Sequence, residues 1–532
     1  EYTFKHGLTC QVAYASLLAE RRKELHRRTA SAIEGLYADR LAEHYELLAQ
    51  HFSRAEEWGK AFEYLVKAGE KMANAFGTRE ALAFYDLALE AAGRLGEAAD
   101  LQAVMGVHQA KSTLYLVMSD FKRSRAEAER LLALARRATD RVAEGTALAG
   151  MGLAARYDHD FDRALQYSRE AIDVAQEVNA QAVLARAHLT IGLIHLSSGR
   201  LNQGREELEQ TLKISQLIGD AFHQSLALVY TGAHKNWQGE YQEASRLMSE
   251  SVKIAREHNV PLPCVLGLWA HGIVLTGKGH YDEALTSFQE ALGLAEKVGA
   301  EFVRLRCLNS LGWLLSELGD LDRANDLNRR GAEGARARGD PEVIANAEIN
   351  LADVFLAKGD VDQSQEILDG VYRLVKNPAT SDWMKWRYST HLFASLGELW
   401  LARGGPSKAQ EFADQCLEIA TRTNSRKYLV KGWRLTGEIA LARRQWDEAE
   451  GALRQALMIA QAIGNPTQLW KSHLAWGRFH AEAKRLEQAR QAYHAAREVI
   501  DRIKASLRKP ELRTSLERAP LIRQVYDLSP AD

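Results

Sequence analysis

Residues 304–339, RLRCLNSLGWLLSELGDLDRANDLNRRGAEGARARG, contain the pattern that decides the fold of this chain. Apolar residues recur at helical spacing on both sides of a turn at Gly319-Asp320, which predicts two amphipathic helices. Gly312 is expected where the two helices cross, Ala324 lies early in the second helix, and Gly339 follows its end. The segment is therefore predicted to form a helical hairpin.

The same hairpin pattern recurs along the chain. The small residue that corresponds to Ala324 returns as Ser124, Ala164, Gly204, Ala244, Ala284, Ala324, Ser364, Ala409, Ala449 and Ala489. The spacing is 40 residues at every step except the 45 residues between Ser364 and Ala409, where we predict a loop insertion of five residues near 377–385. Fixed periods of this size are the signature of a solenoid.

Two further columns of small residues accompany the first. Twelve residues earlier stand Ser112, Gly152, Gly192, Gly232, Gly272, Gly312, Ala352, Gly397, Gly437 and Gly477, and fifteen residues later stand Asn179, Gly219, Asn259, Gly299, Gly339, Asn424 and Gly464. Glycine inside a helix costs about 1 kcal/mol relative to alanine, so the earlier column predicts close helix packing. Gly and Asn tolerate the left-handed conformation that ends a helix. A large residue at each turn, such as Tyr241, Trp446 or Leu486, is predicted to plug the hairpin.

These columns resemble those of tetratricopeptide (TPR) repeats. The resemblance rests on the twelve-residue small-to-small spacing, a bulky residue four before the glycine, and the turn at residues 319–324. WD40 repeats are disfavoured because the units are Ala-rich and helix-periodic, and HEAT repeats lack the paired columns. The expected fold is all-α, a TPR-like α-solenoid forming a right-handed superhelix of hairpins with about 40 residues per repeat. We expect the array over residues 41–499, a junction over 1–40 and capping helices over 500–532.

Composition restricts the function. The formal charge of −1 comes from 69 basic and 70 acidic residues and argues against a nucleic-acid groove. No apolar run reaches the roughly 18 residues of a membrane span. The cysteine pattern predicts a cytoplasmic protein. The four cysteines lack zinc or CxxC spacing and are expected to be reduced and, at helical positions, buried.

The sequence offers no reaction centre. Residues 272–279 nearly match a phosphate-binding loop, but the final Ser or Thr and the preceding strand are missing, and Gly272 belongs to the packing column. Coincidence is the favoured interpretation. No metal site, nucleophile–base arrangement or paired carboxylates emerge, so we predict no enzymatic activity, no metal and no cofactor for this chain.

The first residues carry a second resemblance. The segment YTFKHGL at 2–8, then Val12-Ala13-Tyr14, Ser16-Leu17-Leu18, Arg21-Arg22 and Leu25-His26, resembles the junction after the winged-helix module of bacterial STAND/AAA-type ATPases. It is most similar to multidomain adenylate/guanylate cyclases, in which cyclase and ATPase domains precede a repeat arm. That resemblance implies a longer parent protein whose upstream ATPase domain is a partner of this chain and binds ATP and Mg²⁺. It also implies that His6 senses nucleotide phosphates; the alternative is an ordinary strand-end histidine.

The concave face of the array is the candidate binding surface. On the first helix of successive repeats it is expected to carry Trp269, Arg306, Asn309, Trp313, Asn346, Asp353, Glu398, Lys431 and Arg434. Trp beside Arg and Asn is typical of a peptide-binding hot spot, and asparagines can hold an extended backbone.

Two functions follow from that surface. The chain is predicted to be a sensor arm that binds a protein segment or small effector and regulates an upstream nucleotide-binding module. The alternative is a scaffold for oligomeric assembly that recognises no free ligand. A further alternative is that Trp269 and Trp313 only fill gaps between repeats.

Overall fold

The computed structural model describes residues 12, 14–377 and 384–529, and these residues are almost entirely helical. In chain order the helices are α1 (Ala19–Leu36), α2 (Tyr45–Arg54), α3 (Trp58–Asn74), α4 (Thr78–Leu95), α5 (Leu101–Val117), α6 (Phe121–Ala138), α7 (Arg141–Tyr157), α8 (Phe161–Glu177), α9 (Gln181–Ser197), α10 (Leu201–Ile218), α11 (Ala221–Trp237), α12 (Tyr241–Glu257), α13 (Pro261–Lys278), α14 (Tyr281–Val298), α15 (Glu301–Glu317), α16 (Leu321–Arg338), α17 (Pro341–Ala357), α18 (Val361–Lys376), α19 (Ser389–Ala402), α20 (Pro406–Arg422), α21 (Arg426–Ala442), α22 (Trp446–Ile463), α23 (Pro466–Glu482), α24 (Leu486–Ser506), α25 (Pro510–Arg518) and α26 (Pro520–Leu528). Short 3₁₀ turns occur at Leu41–Glu43 and Gly96–Ala98. No strand occurs within the described ranges, so the all-α class is confirmed.

The chain forms two compact units. One comprises residues 1–187 with 297–299, and the other comprises residues 188–296 with 300–532. Within each unit consecutive helices pack on one another, as α3 does on α4 and α21 does on α22. These paired helices at a constant period confirm the TPR-like solenoid predicted from the columns of small residues.

The first unit combines an apolar core with a buried polar cluster. Its core includes Phe52 and Tyr85. Glu127 is only 4% exposed; one of its carboxylate oxygens bonds Nδ1 of His108 at 2.7 Å and the other lies 3.0 Å from Nζ of Lys111. Burial opposes ionisation of Glu127, but these two partners lower its pKa to about 2. The carboxylate is therefore held ionised inside the unit.

The glycine column lies where helices meet. At each of its eight glycines, an added Cβ would have a neighbouring atom at 3.2 Å or less. At Gly272 that atom is Cε1 of Phe288, 2.6 Å away in a ring that is fully buried. At Gly152 the carbonyl oxygen of Ala164, twelve residues later, lies 3.3 Å from the Cβ position. The two columns therefore face each other across the hairpin, as predicted.

The third column ends helices as expected. All seven of its Gly and Asn residues have positive φ, from 48° at Asn424 to 73° at Gly299. Left-handed residues at this position satisfy the last carbonyls of a helix and turn the chain into the next repeat.

The predicted loop insertion near 377–385 overlaps a helical turn. Residues 378–383 lie outside the described part of the chain, whereas Met384–Tyr388 form a π-helical turn, which corrects the prediction for 384 and 385. A π turn absorbs an extra residue while keeping the chain hydrogen-bonded. The Trp386 side chain is buried there, and its Nε1 donates to the carbonyl oxygen of Ser197 at 2.8 Å.

The second unit wraps back onto itself. The hydroxyls of Tyr281 and Thr467 are 2.9 Å apart, and Nδ2 of Asn465 donates to the Tyr241 hydroxyl at 3.4 Å. These contacts join repeats about 190–220 residues apart in sequence. The helices of this unit consequently surround an enclosed space.

The last helices pack onto the middle repeats of the second unit. Apolar residues of α24–α26, such as Ile500 and Leu516, belong to the same core as Phe288 of α14. The Ser515 hydroxyl also lies 3.2 Å from Oδ2 of Asp320, at the turn that begins α16. The C-terminal helices are thereby fixed beside the α15–α16 turn.

Three smaller expectations can be compared with the described residues. Cys264, Cys307 and Cys416 are buried and free, and burial raises the pKa of the Cys416 thiol to about 12; Cys10 lies outside the described ranges. Residues 272–278 belong to α13, whose backbone groups are used within the helix, so the near match to a phosphate loop is a coincidence. Between residues 14 and 529, excluding 378–383, no helix has the length and hydropathy to cross a bilayer.

Candidate functional site

The concave face of the second unit lines two adjoining cavities, which together we call the lumen. The aromatic cavity, of about 130 Å³, is lined by residues that include Asn236, Trp237, Trp269, Ile273, Asn346 and Trp386. The charged cavity, of about 390 Å³, is lined by residues that include Glu317, Asp353, Glu398, Lys431, Lys471 and residues 519–522. Both are lined by Trp313, Asn350, His391, Lys427 and Tyr428. The shared residues make the two cavities parts of one site.

The tryptophans of the aromatic cavity are held by bonds within the protein. Nε1 of Trp269 donates to the Ser310 hydroxyl at 2.9 Å, and Nε1 of Trp313 donates to Oε1 of Glu317 at 3.0 Å. Because both indole N–H groups are satisfied, a ligand would contact the apolar rings. Rigid aromatic surface of this kind binds an apolar side chain with little loss of conformational entropy.

Carboxylates of the charged cavity have hydrogen-bond or ion-pair donors of their own. Nε2 of His391 lies 2.9 Å from Oδ2 of Asp353, and Nη2 of Arg434 lies 3.4 Å from Oε1 of Glu398. Burial opposes ionisation of Asp353, but the charge and hydrogen bond of His391 lower its pKa to about 2. Burial lowers the pKa of His391, although the Asp353 carboxylate opposes that shift.

Three lysines of the charged cavity have no carboxylate partner among the described residues. No carboxylate of the described residues lies within 4.0 Å of the amino groups of Lys427, Lys431 or Lys471. The Lys427 ammonium instead lies 4.3 Å from the centroid of the Trp313 ring, and burial lowers its pKa to about 8. For Lys431, burial is outweighed by Glu398, whose charge contributes most to raising the pKa.

Six of the nine predicted residues line the lumen. They are Trp269, Trp313, Asn346, Asp353, Glu398 and Lys431. They come from α13, α15, α17, α19 and α21, the first helices of five successive repeats. The repeat therefore brings side chains far apart in sequence onto one surface.

The other three predicted residues are buried in the wall of the lumen. Nη1 of Arg306 donates to the Tyr388 hydroxyl at 3.1 Å, and Nη2 donates to Glu342 at 2.9 Å. Nδ2 of Asn309 donates to a backbone carbonyl oxygen at 3.3 Å, and Nη1 of Arg434 donates to a glutamine side chain at 3.0 Å. These residues position neighbouring repeats. His6 lies outside the described residues.

The sequence analysis missed several lumen residues, among them Glu317, Lys427, Tyr428 and Lys471. A signal existed for Lys471, because it precedes Gly477 by six residues, as Lys431 precedes Gly437. Lys427 lies about one helical turn before Lys431 and so belongs to the same helix face.

A larger groove of about 1200 Å³ lies elsewhere on the second unit, between α12, α14 and residues 505–509. It is more open than the lumen, and several of its charged residues pair with one another, as Arg256 does with Glu290. Paired surface charges bind a ligand weakly. The lumen is therefore the better candidate site.

Comparisons with known proteins agree with the repeat fold. The model of the MalT-like TPR region matches residues 216–389. Tetratricopeptide repeat protein 29 of Homo sapiens is 29% identical over 134 residues, which cover 25% of this chain and 28% of that protein. Regulatory protein AfsR of Streptomyces griseus is 26% identical over 220 residues, which cover 40% of this chain and 21% of AfsR. The chain thus spans less than a third of either relative.

Solved helical-repeat proteins are also similar. A Rap protein, solved in complex with competence and sporulation factor, is 13% identical with a TM-score of 0.46, over 76% of this chain and 99% of that one. The family model and these relatives together support a TPR region in this chain.

Proposed function

We propose that this chain is a non-catalytic recognition arm whose lumen binds a peptide segment of a partner protein. One observation carries the proposal: aromatic, amide and charged side chains from successive repeats converge on a single enclosed space. Helix packing alone does not require lysines there, since even partial burial of a charge without an ion-pair partner is costly. A ligand that contacts these groups offsets that cost.

The arrangement of the polar groups favours a linear ligand. Asn346, His391, Lys431 and Lys471 occupy the same position, six residues before the small column, in four successive repeats. Their side chains therefore form a row along the lumen. An extended peptide presents polar groups at regular intervals and can use such a row, with amides holding its backbone and pockets taking alternate side chains. A compact effector would contact only part of the row.

Binding in the lumen provides a route to regulation. A ligand that contacts helices from α11 to α23 stabilises whichever spacing of those repeats fits it best and so shifts the population of superhelix conformations. The similarity to Regulatory protein AfsR and the junction at residues 2–26 support a regulatory parent protein. We propose that the upstream module is a signalling ATPase or nucleotide cyclase, and that an occupied lumen alters its nucleotide turnover.

A peptide-display experiment tests the binding half of this proposal. Random heptapeptides displayed on phage are selected on the full chain, and the selected sequences are measured by fluorescence anisotropy against variants. Trp313→Ala is expected to weaken binding about tenfold or more, the usual loss at a hot spot. The control Trp446→Ala removes a Trp that is 40% exposed and does not line the lumen, and it should bind normally. Peptides that are insensitive to Trp313→Ala would refute the lumen as the site.

The regulatory half needs the intact parent protein. The same peptide is added at saturating concentration, and nucleotide hydrolysis and cyclic-nucleotide formation are measured. A change that disappears in the Trp313→Ala variant supports regulation through the lumen. Binding without any change in turnover refutes it.

A second candidate, an assembly scaffold, has one observation in its favour. Trp446 and Leu486, predicted to plug their hairpins, are instead 40% and 64% exposed at the starts of α22 and α24. Exposed apolar residues at repeat edges can pair between copies. Light scattering over a range of concentrations should give a rising mass that Leu486→Glu abolishes; a constant monomer mass refutes the scaffold.

A further inference from the structure

We infer that the lumen holds an anionic group of its ligand between Lys427, Lys431 and Lys471, while an apolar part of the same ligand packs on the tryptophans. This inference rests on the proposed binding function and names the chemistry of what is bound. It predicts a ligand with a charged end and an apolar body.

The inference starts from a difference in how the acidic and basic groups of the charged cavity are paired. Asp353 is bonded by His391 at 2.9 Å, and Glu398 faces Arg434 at 3.4 Å. Glu317 accepts from Nε1 of Trp313 at 3.0 Å. Each of these carboxylates thus has a donor on one oxygen, and Oε2 of Glu317 and Oδ1 of Asp353 are buried without a hydrogen-bond partner among the described residues. The three lysines line the cavity with no carboxylate of the described chain within 4.0 Å. Available donors in an enclosed site favour an anion.

The second step is the position of Lys427. It lines both cavities, and its ammonium lies 4.3 Å from the centroid of the Trp313 ring. An anion bound at Lys427 therefore has an aromatic surface directly beside it. This juxtaposition suits a ligand in which charged and apolar groups are neighbours.

The third step concerns the far side of the charged cavity. Residues 519–522, at the start of α26, line the charged cavity but not the aromatic one. The adjoining turn at Gly319 packs against Ala519. A ligand that extends from the tryptophans past Lys427 consequently meets α26, which places the anionic group at or near the end of the ligand. A peptide can supply it as a terminal carboxylate or as an acidic side chain.

A matched pair of dyes tests the inference without knowledge of the natural ligand. The probes are 8-anilinonaphthalene-1-sulfonate and N-phenyl-1-naphthylamine, which share their rings and differ by the sulfonate. Their binding to the full chain is followed by fluorescence. We expect one sulfonate dye per chain, bound about tenfold more tightly than the neutral dye, as for a charge-assisted contact. Equal affinities would overturn the inference.

Lysine variants test whether these side chains cause the preference for the sulfonate dye over the neutral dye. Lys427→Met and Lys431→Met should each weaken sulfonate-dye binding about fivefold and leave neutral-dye binding unchanged. The control Lys253→Met removes a side chain that is 73% exposed and should change neither affinity. Circular dichroism verifies that each variant keeps its helices. If both lumen variants still prefer the sulfonate dye, or if the control loses that preference equally, the lumen lysines do not form the anion site.

Selected peptides separate this inference from the proposed function. If peptides bind the lumen but tolerate both amidation of the C-terminus and replacement of acidic side chains by amides, the anion site is wrong and the binding function stands. If no peptide binds while the sulfonate preference depends on the lysines, the peptide function is wrong and the anion site stands. Loss on amidation assigns a terminal carboxylate, and loss on Asp→Asn or Glu→Gln assigns a side chain.

Discussion

A single methyl group added to the α13–α14 hairpin should have opposite effects at two glycines. Gly272 belongs to the packing column, and its added Cβ would lie 2.6 Å from Cε1 of Phe288. Gly293, on α14 of the same hairpin, has no such neighbour within 4 Å. The substitutions Gly272→Ala and Gly293→Ala are chemically identical, so their difference isolates the packing contribution.

The magnitudes follow from two opposing effects. Alanine is favoured over glycine inside a helix by about 1 kcal/mol, which applies to both variants. Overpacking costs about 1–3 kcal/mol, which applies only at Gly272, because the Phe288 ring is fully buried and cannot move into solvent. Gly293→Ala should therefore stabilise by up to about 1 kcal/mol, and Gly272→Ala should destabilise by up to about 2 kcal/mol.

Hydrogen exchange of the intact chain measures both changes locally. A long repeat array need not unfold in one step, so a global midpoint alone would not report on one hairpin. Peptides of α13 and α14 should exchange faster in Gly272→Ala and at the same rate or more slowly in Gly293→Ala. Equal protection in the two variants would refute the claim that the glycine column exists for close packing.

Three further predictions concern the rest of the chain. Glu127→Gln should reduce the pH dependence of first-unit stability, because the pKa of Glu127 is about 2 in the folded state and near 4.5 in the unfolded state. The stability that ionised Glu127 contributes is complete above pH 4.5 and is lost as the pH falls toward 2. Urea unfolding from pH 7 to 2 measures this loss, with Glu129→Gln at an exposed position as control. Arg306→Ala should lower stability by about 3–5 kcal/mol, because it removes the guanidinium that pairs with the buried Glu342 carboxylate. Adding Glu342→Gln should restore part of the loss in thermal unfolding. Asp140→Ala should lower the stability of α7 by about 1 kcal/mol, because the Asp140 side chain caps this helix by accepting a hydrogen bond from the N–H of Ala143 at 2.9 Å. Faster amide hydrogen exchange in the first turn of α7 would show the loss.

The repeat was predictable because its signals are local. Small residues at helix crossings and left-handed residues at helix ends are determined by the chain within one hairpin, and both columns lie where expected. The wrapping of the second unit depends instead on contacts between repeats about 190 residues apart, such as Tyr281 with Thr467. A tyrosine hydroxyl at a buried turn position hints at a distant partner but does not identify it.

The sequence predicted those residues of the candidate site that recur at the same position in successive repeats. Asn346 and Lys431 line the lumen at the position six residues before the small column. Arg306 occupies the same position but is buried, because the Tyr388 hydroxyl covers it. Tyr388 belongs to the π turn within the one irregular step of the array, between Ser364 and Ala409. A periodic pattern cannot locate a side chain supplied by an irregularity.

Photo-crosslinking of a bound peptide tests most directly whether the enclosed face is the recognition surface. A selected peptide carrying benzophenone in place of its apolar residue is bound to the full chain, irradiated, and mapped by mass spectrometry. The proposed function predicts cross-links to the aromatic cavity, at Trp269, Trp313 or Tyr428, and their suppression by excess unlabelled peptide. Specific cross-links confined to the open groove around Lys253 and Arg508, or to the exposed edge at Trp446, would contradict it.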